Sequence, residues 1–176
     1  HYAPDNASLC VRLALLEMGV PFQTKLVDRQ KDGQKDTSYL ALNPNGLIPT
    51  LETPDGPIFE TAAILLWLAD RQSGGFFPAP NTPDRGAALA QLFWLSNTLH
   101  ANLRMMFYPT LYAPQAEDVL RATCRASLVS HYQQLATTAG DWLDTDGPKI
   151  LACYLAPMIR WPALYGGANL SLTKDL

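Results

Sequence analysis

The sequence lacks a long apolar run, a cluster of basic residues and any paired-cysteine motif, and each absence excludes a class of protein. The longest apolar stretches, such as Ala62 to Ala69, are far shorter than the ~20 residues that span a bilayer. Lys and Arg are scattered along a chain of net charge -3, which disfavours nucleic acid or a membrane as a partner. Charged residues make up 16% of the chain and hydrophobic residues 48%, so a packed core is expected rather than disorder.

The chain has three cysteines, Cys10, Cys124 and Cys153, and they lie far apart in the sequence. An odd number without C-x-x-C or metal-ligand spacing predicts no disulfide framework, no zinc site and no dithiol redox centre. Cys10 falls among apolar residues of a predicted helix, so it is interpreted as packing rather than as a nucleophile. A reducing cytoplasm is the simplest expectation, and neither a metal nor a tightly bound organic cofactor is predicted.

The first half of the chain alternates between helix and strand patterns. Apolar residues dominate Ser8 to Met18, which predicts a helix, and Gly19 follows where a C-cap glycine is typical. The other predicted elements are strands at His1–Ala3, Phe22–Val27, Ile48–Thr53 and Ile58–Phe59, a helical turn at Tyr39–Leu42 and a helix from Thr61 to Arg71. This order predicts an α/β unit with a mixed sheet.

A segment rich in glycine and proline, residues 73–83, interrupts any regular structure. We place the domain boundary there, because such segments typically link separately packed units. The predicted domains are residues 1–73, of α/β type, and residues 84–176, which carry helical patterns only.

Three helices are predicted in the second domain. The first begins after Asp84, a favourable N-cap residue, and its apolar residues recur at steps of three and four. The second extends from about Gln115 to Leu143, and the third from Ile150 to Tyr165. Pro157 and Pro162 are expected to bend or end the third helix, because proline lacks the N–H of a helical hydrogen bond.

Two neighbouring motifs stand out in the first domain. The first is Leu-Asn-Pro-Asn-Gly-Leu-Ile-Pro-Thr-Leu at residues 42–51, and the second is Glu-Thr-Ala-Ala-Ile-Leu at residues 60–65. Together they resemble the glutathione site of glutathione transferases. Leu95–Pro109 and Cys153–Pro157 resemble helices of the C-terminal domain in bacterial members. The resemblance implies a fold of the α/β plus all-α class, with a thioredoxin-like domain followed by a helical-bundle domain.

The resemblance also implies how glutathione docks. The bond before Pro49 would be cis, and Ile48 would offer its backbone N–H and C=O to the cysteinyl part of the tripeptide. Thr61 would stand at a helix N-terminus, whose free N–H groups suit the γ-glutamyl carboxylate, and Glu60 would accept from the ammonium. Lys35 matches a position that contacts the other end of glutathione. An edge-strand proline and an ordinary N-cap are the alternative interpretations of Pro49 and Thr61.

The residue that activates the thiol is less clearly indicated. Members of this family use Tyr, Ser or Cys near the first strand–helix junction, and in a bacterial class a cysteine precedes Ser-Leu. Here Ala7 replaces that cysteine. Ser8 is then the nearest hydroxyl at the helix N-terminus, with Asn6 as a second candidate donor, while a plain N-cap is the alternative role for Ser8.

A polar and aromatic stripe follows the first helix of the second domain. Phe93, Asn97, His100, Arg104 and Tyr108 recur at steps of three or four, which predicts a common helix face. The resemblance places His100 near glutathione and assigns Asn97, Arg104 and Tyr108 to the pocket of the second substrate. A structural or solvent-facing histidine is the alternative for His100.

The function implied by the resemblance is conjugation of glutathione, as cosubstrate, to a small hydrophobic electrophile, by a homodimer. One alternative is a glutathione-dependent isomerase or reductase on the same fold. The first helix with Arg12 faintly resembles the class that isomerises maleylacetoacetate, but that class has Ser-Ser-Cys where this chain has residues 5–7, Asp-Asn-Ala. The other alternative is a binding protein without turnover.

We also expect the sequence to be part of a longer chain. Residues 1–3 are too short for a central strand, which averages about 5–6 residues. The connection Asp144–Lys149 is shorter than is usual in the family, and Lys149 and Ala152 stand where a capping Thr and Asp are expected. The tail after Gly166 stops where the family continues with further helices.

Overall fold

A computed structural model describes residues 1–141, 143 and 149–164 of the chain. The helices and strands are α1 (Ser8–Glu17), α2 (Thr37–Leu40), β1 (Thr50–Thr53), β2 (Gly56–Phe59), α3 (Thr61–Arg71), α4 (Arg85–Trp94), α5 (Ala101–Phe107), α6 (Glu117–Thr138) and α7 (Lys149–Leu164). A π-helical segment, Leu95–His100, joins α4 to α5. The expectations about residues 144–148 and the tail after Gly166 lie outside the described residues. Among the described helices, none combines the length and hydrophobicity that a bilayer span requires.

The sheet of the first half is a two-stranded antiparallel hairpin. Thr50 of β1 lies opposite Phe59 of β2, and Thr53 lies opposite Gly56. The Thr53 hydroxyl donates to the Gly56 carbonyl at 2.7 Å and accepts from the Asp55 N–H at 3.1 Å, which closes the turn. The hairpin leads directly into α3, so its register determines where that helix begins.

The predicted strands at residues 1–3 and 22–27 are reduced to a single parallel bridge between Tyr2 and Leu26. This bridge consists of two backbone hydrogen bonds. The Tyr2 N–H donates to the Lys25 carbonyl at 3.0 Å, and the Val27 N–H donates to the Tyr2 carbonyl at 2.9 Å. Residues 23–26 are all exposed. A longer strand is not stabilised here because these side chains have no buried face to pack against.

The two halves of the chain share one hydrophobic core. Helices α1 and α3 both pack against α7, and the core runs from Leu65 of α3 through Leu99 to Leu128 of α6 and Tyr154 of α7. Each of these four side chains is at most 1% exposed. Burial therefore continues across the predicted boundary at residues 73–83, and it holds the two halves in a defined relation.

The structure bears on two predictions about helix ends. Asp84 is the N-cap residue of α4, as predicted, although its backbone is helical and its side chain makes no capping hydrogen bond. Helix α7 continues through Pro157 and Pro162, so neither proline ends it. An interior proline costs a helix about 3 kcal/mol. In α7 the apolar face, including the fully buried Leu151 and Met158, offsets that cost because it lies in the shared core.

Arg85 ties the start of α4 to the end of α3. Its guanidinium donates to the two carboxylate oxygens of Asp70 at 2.7 and 3.0 Å, and also to the Pro78 carbonyl at 2.6 Å. The hydrogen bond that Arg85 donates to Asp70 is the main cause that raises the pKa of Arg85. Since the Arg85 side chain is only 14% exposed, this pair is better shielded from water than a typical surface ion pair.

Candidate functional site

A cavity of about 620 Å³ opens between the α/β half and the helical half. The first half contributes the start of α1, the polar loop 29–35, the loop 43–49 and the start of α3. The second half contributes the π-helical segment, α5 and two aromatic residues of α7. The predicted site residues that line the cavity are Asn6, Lys35, Ile48, Pro49, Glu60, Thr61, His100, Arg104 and Tyr108. Ser8 and Asn97 do not line it.

The loop 43–49 is held in shape by its asparagine and its glycine. The buried Asn43 side chain donates from Nδ2 to the Leu47 carbonyl at 2.7 Å. Gly46 has a φ of +59°, and a Cβ added there would lie 3.0 Å from the Gln34 carbonyl oxygen. Only glycine adopts this positive φ without strain, and only glycine avoids the close contact with the Gln34 carbonyl. The Asn-Pro-Asn-Gly motif therefore shapes the wall of the cavity next to Ile48.

Ile48 offers unpaired backbone groups to the cavity. The Ile48–Pro49 peptide bond is cis, as predicted. Ile48 is 8% exposed and lies just before β1, yet neither its N–H nor its C=O has a backbone partner among the described residues. A buried peptide group normally has such a partner. An extended peptide ligand could supply it by pairing at this position as an added strand.

The start of α3 presents donors to the same cavity. No side chain caps this helix, and its first intrahelical bond runs from the Ile64 N–H to the Glu60 carbonyl at 3.0 Å. Glu60 has a φ of +69°, which is unusual for a residue with a side chain. This conformation lies at the junction between β2 and α3 and sets the direction in which the helix begins. Thr61 is 5% exposed, and its hydroxyl has no protein partner within the described residues. Free N–H groups at a helix start and a hydroxyl beside them are donors of the kind that suit a carboxylate.

At the start of α1 the structure favours Asn6 over Ser8 as the side-chain donor that faces the cavity. Ser8 is 2% exposed, and its hydroxyl donates to the Ala3 carbonyl at 3.2 Å and accepts from the Ala3 N–H at 3.3 Å. Its side chain is therefore directed away from the cavity, and it does not act as the N-cap either. Asn6 lines the cavity, and its Oδ1 accepts from the Ser8 N–H, the first of α1, at 3.0 Å. This leaves the Asn6 NH₂ group as a donor, beside an Ala7 N–H without a protein acceptor among the described residues.

The predicted stripe of the second domain is broken by the π-helical segment. A π turn bonds residue i to residue i+5, so residues on either side of it lose the phase of a continuous α-helix. Phe93 is 53% exposed and Asn97 is exposed, whereas His100 and Arg104 line the cavity together with Ser96. The prediction of a single face holding all five residues was therefore wrong for its first two members.

His100 is an uncharged member of the cavity wall. Its Nδ1 atom lies 3.1 Å from the Tyr154 hydroxyl, and its ring centroid lies 5.4 Å from that of Trp161. Burial, with a smaller contribution from the positive charge of Arg104, lowers the pKa of His100 to about 4. Burial also raises the pKa of Tyr154. At neutral pH both groups are thus without charge, and each can donate or accept a hydrogen bond.

Three positive and three negative side chains line the cavity: Arg29, Lys35 and Arg104, and Asp5, Asp32 and Glu60. Lys35 is paired with Asp32 at 3.1 Å. Arg29 and Arg104 form no ion pair within the described residues. Asp5 pairs with Arg160 at 3.4 Å. The lining charges outside these pairs are those of Arg29, Arg104 and Glu60. Their sum is positive, which favours an anionic ligand.

Sequence reasoning missed several lining residues, among them Arg29, Gln34, Ser96, Tyr154 and Trp161. Gln34 Oε1 is buried without a hydrogen-bond partner, so it remains available to accept from a ligand. Tyr154 and Trp161 are seven positions apart on α7, two turns of one helix face, and that spacing was a usable signal. Arg29 carried no signal, because it lies in a polar loop without a periodic pattern.

The comparisons with known proteins agree with this geometry. Residues 7–71 match the family model of the glutathione S-transferase N-terminal domain. Glutathione S-transferase GstA of Escherichia coli O157:H7 is 28% identical over 165 residues, which cover 91% of this chain and 80% of that protein. Glutathione S-transferase F10 of Arabidopsis thaliana is 33% identical over 128 residues, which cover 68% of this chain and 60% of that protein.

Solved structures extend the likeness to both halves. A sphingomonad glutathione S-transferase in complex with glutathione superposes with a TM-score of 0.81 at 29% identity, covering 99% of this chain and 86% of the other. The family model, the curated relatives and the solved structures all indicate a member of the glutathione S-transferase family. Its architecture is accordingly a thioredoxin-like N-terminal domain with a small antiparallel sheet, followed by a mostly helical part, as the resemblance implied.

Proposed function

We propose that the protein is a glutathione transferase that joins the thiol of glutathione to a small electrophile. The observation that carries the proposal is the 620 Å³ cavity at which the unpaired backbone groups of Ile48 and the start of α3 face an aromatic wall of the helical half. Ligand sites of this kind typically combine a few converging polar groups with an apolar surface. No tightly bound cofactor is part of the proposal, since glutathione itself is the cosubstrate.

Glutathione has two carboxylates, one ammonium and a central cysteinyl unit, and the cavity offers a partner for each. The backbone of Ile48 would pair with the cysteinyl unit as an added strand. The start of α3 with the Thr61 hydroxyl would bind the γ-glutamyl carboxylate, and Glu60 would accept from the ammonium. Lys35, at the far side of the cavity, would face the glycyl end.

The thiol would lie near the start of α1, where the Asn6 NH₂ group and the Ala7 N–H can donate to sulfur. A free thiol has a pKa of about 8.5, and donors aimed at the sulfur favour the thiolate. The thiolate would then attack the electrophilic carbon, forming a C–S bond, while the leaving group departs with its electron pair. Oriented donors of this kind typically change the rate by about 100- to 1000-fold.

The test is the glutathione-dependent conversion of 1-chloro-2,4-dinitrobenzene, followed by the absorbance of the conjugate. We expect a rate that saturates with glutathione and exceeds the uncatalysed reaction. N-acetylcysteine, which has a thiol but no γ-glutamyl group, is the matched control and should give little rate above background. Bound glutathione without turnover of this or related electrophiles would contradict the transferase proposal. Light scattering in solution tests the homodimer, which also belongs to the proposal.

A binding protein without turnover is the second candidate, and one observation favours it. The Ser8 hydroxyl is engaged by Ala3, and Ala7 stands where a bacterial class has its cysteine, so no hydroxyl or thiol from the start of α1 reaches the cavity. Retention on immobilised glutathione without activity would identify this function. A thiol-based reductase is disfavoured, because Cys10 is fully buried and burial raises its pKa.

A further inference from the structure

The ring of Tyr108 lies beside two guanidinium groups that come from different halves of the chain. The Arg29 guanidinium carbon is 5.7 Å from the ring centroid, and its Nη2 donates to the Tyr108 hydroxyl at 3.1 Å. The Arg104 guanidinium carbon is 5.8 Å from the same centroid. Both distances are within the range of cation–π contacts. Two positive charges are thus held around one aromatic ring at the edge of the cavity.

Both guanidinium groups keep donors that the described residues do not use. Arg104 donates through Nε to the Tyr112 hydroxyl at 2.7 Å, which leaves its two Nη groups available. Arg29 uses Nη2 for Tyr108, which leaves Nε and Nη1 available. Neither arginine forms an ion pair within the described part of the chain. A planar fork of unused donors matches a carboxylate in shape as well as in charge.

The surroundings of this pair are apolar on the cavity side. Three apolar residues line the cavity here: Leu103, Phe107 and Leu111. Leu103 is fully buried, whereas Leu111 is 68% exposed. The field of Arg104 extends to His100, where it contributes to lowering the pKa. A ligand that complements this region has an apolar body and an anionic group.

We propose that the second substrate carries a carboxylate, which Arg104 and Arg29 bind while its apolar body lies against Tyr108 and Leu111. The inference rests on the proposed function and narrows its electrophile from a hydrophobic compound to an acidic one. The remaining chemistry is that of displacement: the thiolate forms the C–S bond and, for an aryl chloride, chloride leaves with the electron pair. The glycyl carboxylate of glutathione is the other possible source of the anion, and the experiment separates the two.

The experiment uses two electrophiles with the same ring, 4-chloro-3-nitrobenzoate, which carries a negative charge, and its methyl ester, which does not. Because the ester is intrinsically the more reactive, the quantity compared is the acid-to-ester ratio of kcat/KM in each variant. We expect Arg104→Met to lower this ratio about 10- to 100-fold through KM for the acid, the range of a lost charge-assisted contact. Arg29→Met should act in the same direction. Arg125→Met, which removes an exposed arginine of α6 outside the cavity, should leave the ratio unchanged.

Glutathione affinity, measured by calorimetry on the same variants, identifies the occupant. An unchanged affinity together with a lowered ratio supports an acidic electrophile. A weakened affinity with an unchanged ratio assigns the arginines to the glycyl carboxylate and overturns the proposal. Equal losses for acid and ester overturn it as well. Arg104→Lys, which keeps the charge, should retain most of the preference, and thermal melting confirms that each variant is folded.

A binding measurement makes the result independent of turnover. The inert pair 4-methyl-3-nitrobenzoate and its methyl ester is titrated into the protein saturated with glutathione. If the unmodified protein prefers the acid and Arg104→Met abolishes that preference, the carboxylate subsite is supported. This holds even if no conjugation occurs, since in that case only the transferase proposal fails. The absence of any preference for the acid in the unmodified protein overturns the inference.

Discussion

The Nδ1 atom of His100 lies 3.1 Å from the hydroxyl of Tyr154, a contact that joins the π-helical segment to α7 across 54 positions of sequence. Burial lowers the pKa of His100 and raises that of Tyr154, so the pair is uncharged near neutrality. When Tyr154 donates to Nδ1, the imidazole proton is on Nε2. His100 then presents a neutral donor to the cavity.

The first prediction concerns the pH dependence of stability. The pKa of His100 is about 4 in the fold and about 6.5 in an unfolded chain, so the unfolded state binds more protons between these values. The stability that neutral His100 contributes is complete above pH 6.5 and is lost as pH falls toward 4. We expect the free energy of unfolding to fall by about 2 kcal/mol between pH 7 and 5 from this residue. Urea unfolding at the two pH values measures it.

His100→Gln should remove most of the fall in the free energy of unfolding between pH 7 and 5. His131→Gln is the comparison variant, in which the same fall is measured. Burial also lowers the pKa of His131, so this second variant should remove only a part. NMR titration of the imidazole ring gives the direct readout. A His100 resonance that titrates near pH 6.5 would contradict the neutral assignment.

The second prediction concerns Thr61. We expect Thr61→Ala to weaken glutathione binding by about 1–2 kcal/mol, because it removes a hydroxyl that can donate to a carboxylate while the helix N–H groups remain. Calorimetric titration is the measurement. Thr61→Ser keeps the hydroxyl and should bind nearly as well as the unmodified protein. If alanine and serine give the same affinity, Thr61 has a structural role only.

The third prediction separates Asn6 from Ser8. We expect Asn6→Ala to raise the pKa of the bound glutathione thiol and to lower turnover about 10- to 1000-fold, as the loss of an oriented donor does. Ser8→Ala should leave the thiol pKa unchanged, because the Ser8 hydroxyl is bound to Ala3. It should instead lower the free energy of unfolding by about 1–3 kcal/mol, since a buried hydrogen-bonded group is lost.

Two measurements distinguish these effects. The ultraviolet absorbance of the thiolate, titrated against pH, reports the thiol pKa, and urea unfolding reports stability. Asn6→Ala also removes the acceptor of the Ser8 N–H, so a loss of stability in that variant alone is not informative. A raised thiol pKa in Ser8→Ala would return the activating role to Ser8, as the sequence first indicated.

The fourth prediction concerns the link between α3 and α4. We expect Asp70→Asn to lower the free energy of unfolding by about 1 kcal/mol, because it weakens a two-bond contact with the shielded Arg85. Asp55→Asn is the matched control, since Asp55 pairs with Arg71 at 3.0 Å but both side chains are well exposed. This control should change stability by less than about 0.5 kcal/mol. Equal effects would show that the shielding of the Arg85 pair is unimportant.

The sequence by itself determined the elements whose ends are set by local chemistry. Helix α3 was predicted from Thr61 to Arg71, and the structure has the same bounds. The Asn-Pro-Asn-Gly motif predicted a turn, and the positive φ of Gly46 is the backbone state that motif supplies. The resemblance then predicted where glutathione would dock, because the backbone groups beside such motifs do not depend on distant side chains.

Only the tertiary structure decided which side chains face the cavity. Ser8 and Asn6 are two positions apart, and a contact with Ala3 directs one away while the other lines the wall. The π-helical segment displaced Asn97 from a stripe that α-helical spacing predicted. Arg29 and Tyr108 meet across 79 positions, one in a polar loop and the other just after the end of α5. Such contacts depend on how the two halves pack on a shared core, and no local pattern of residues encodes that arrangement.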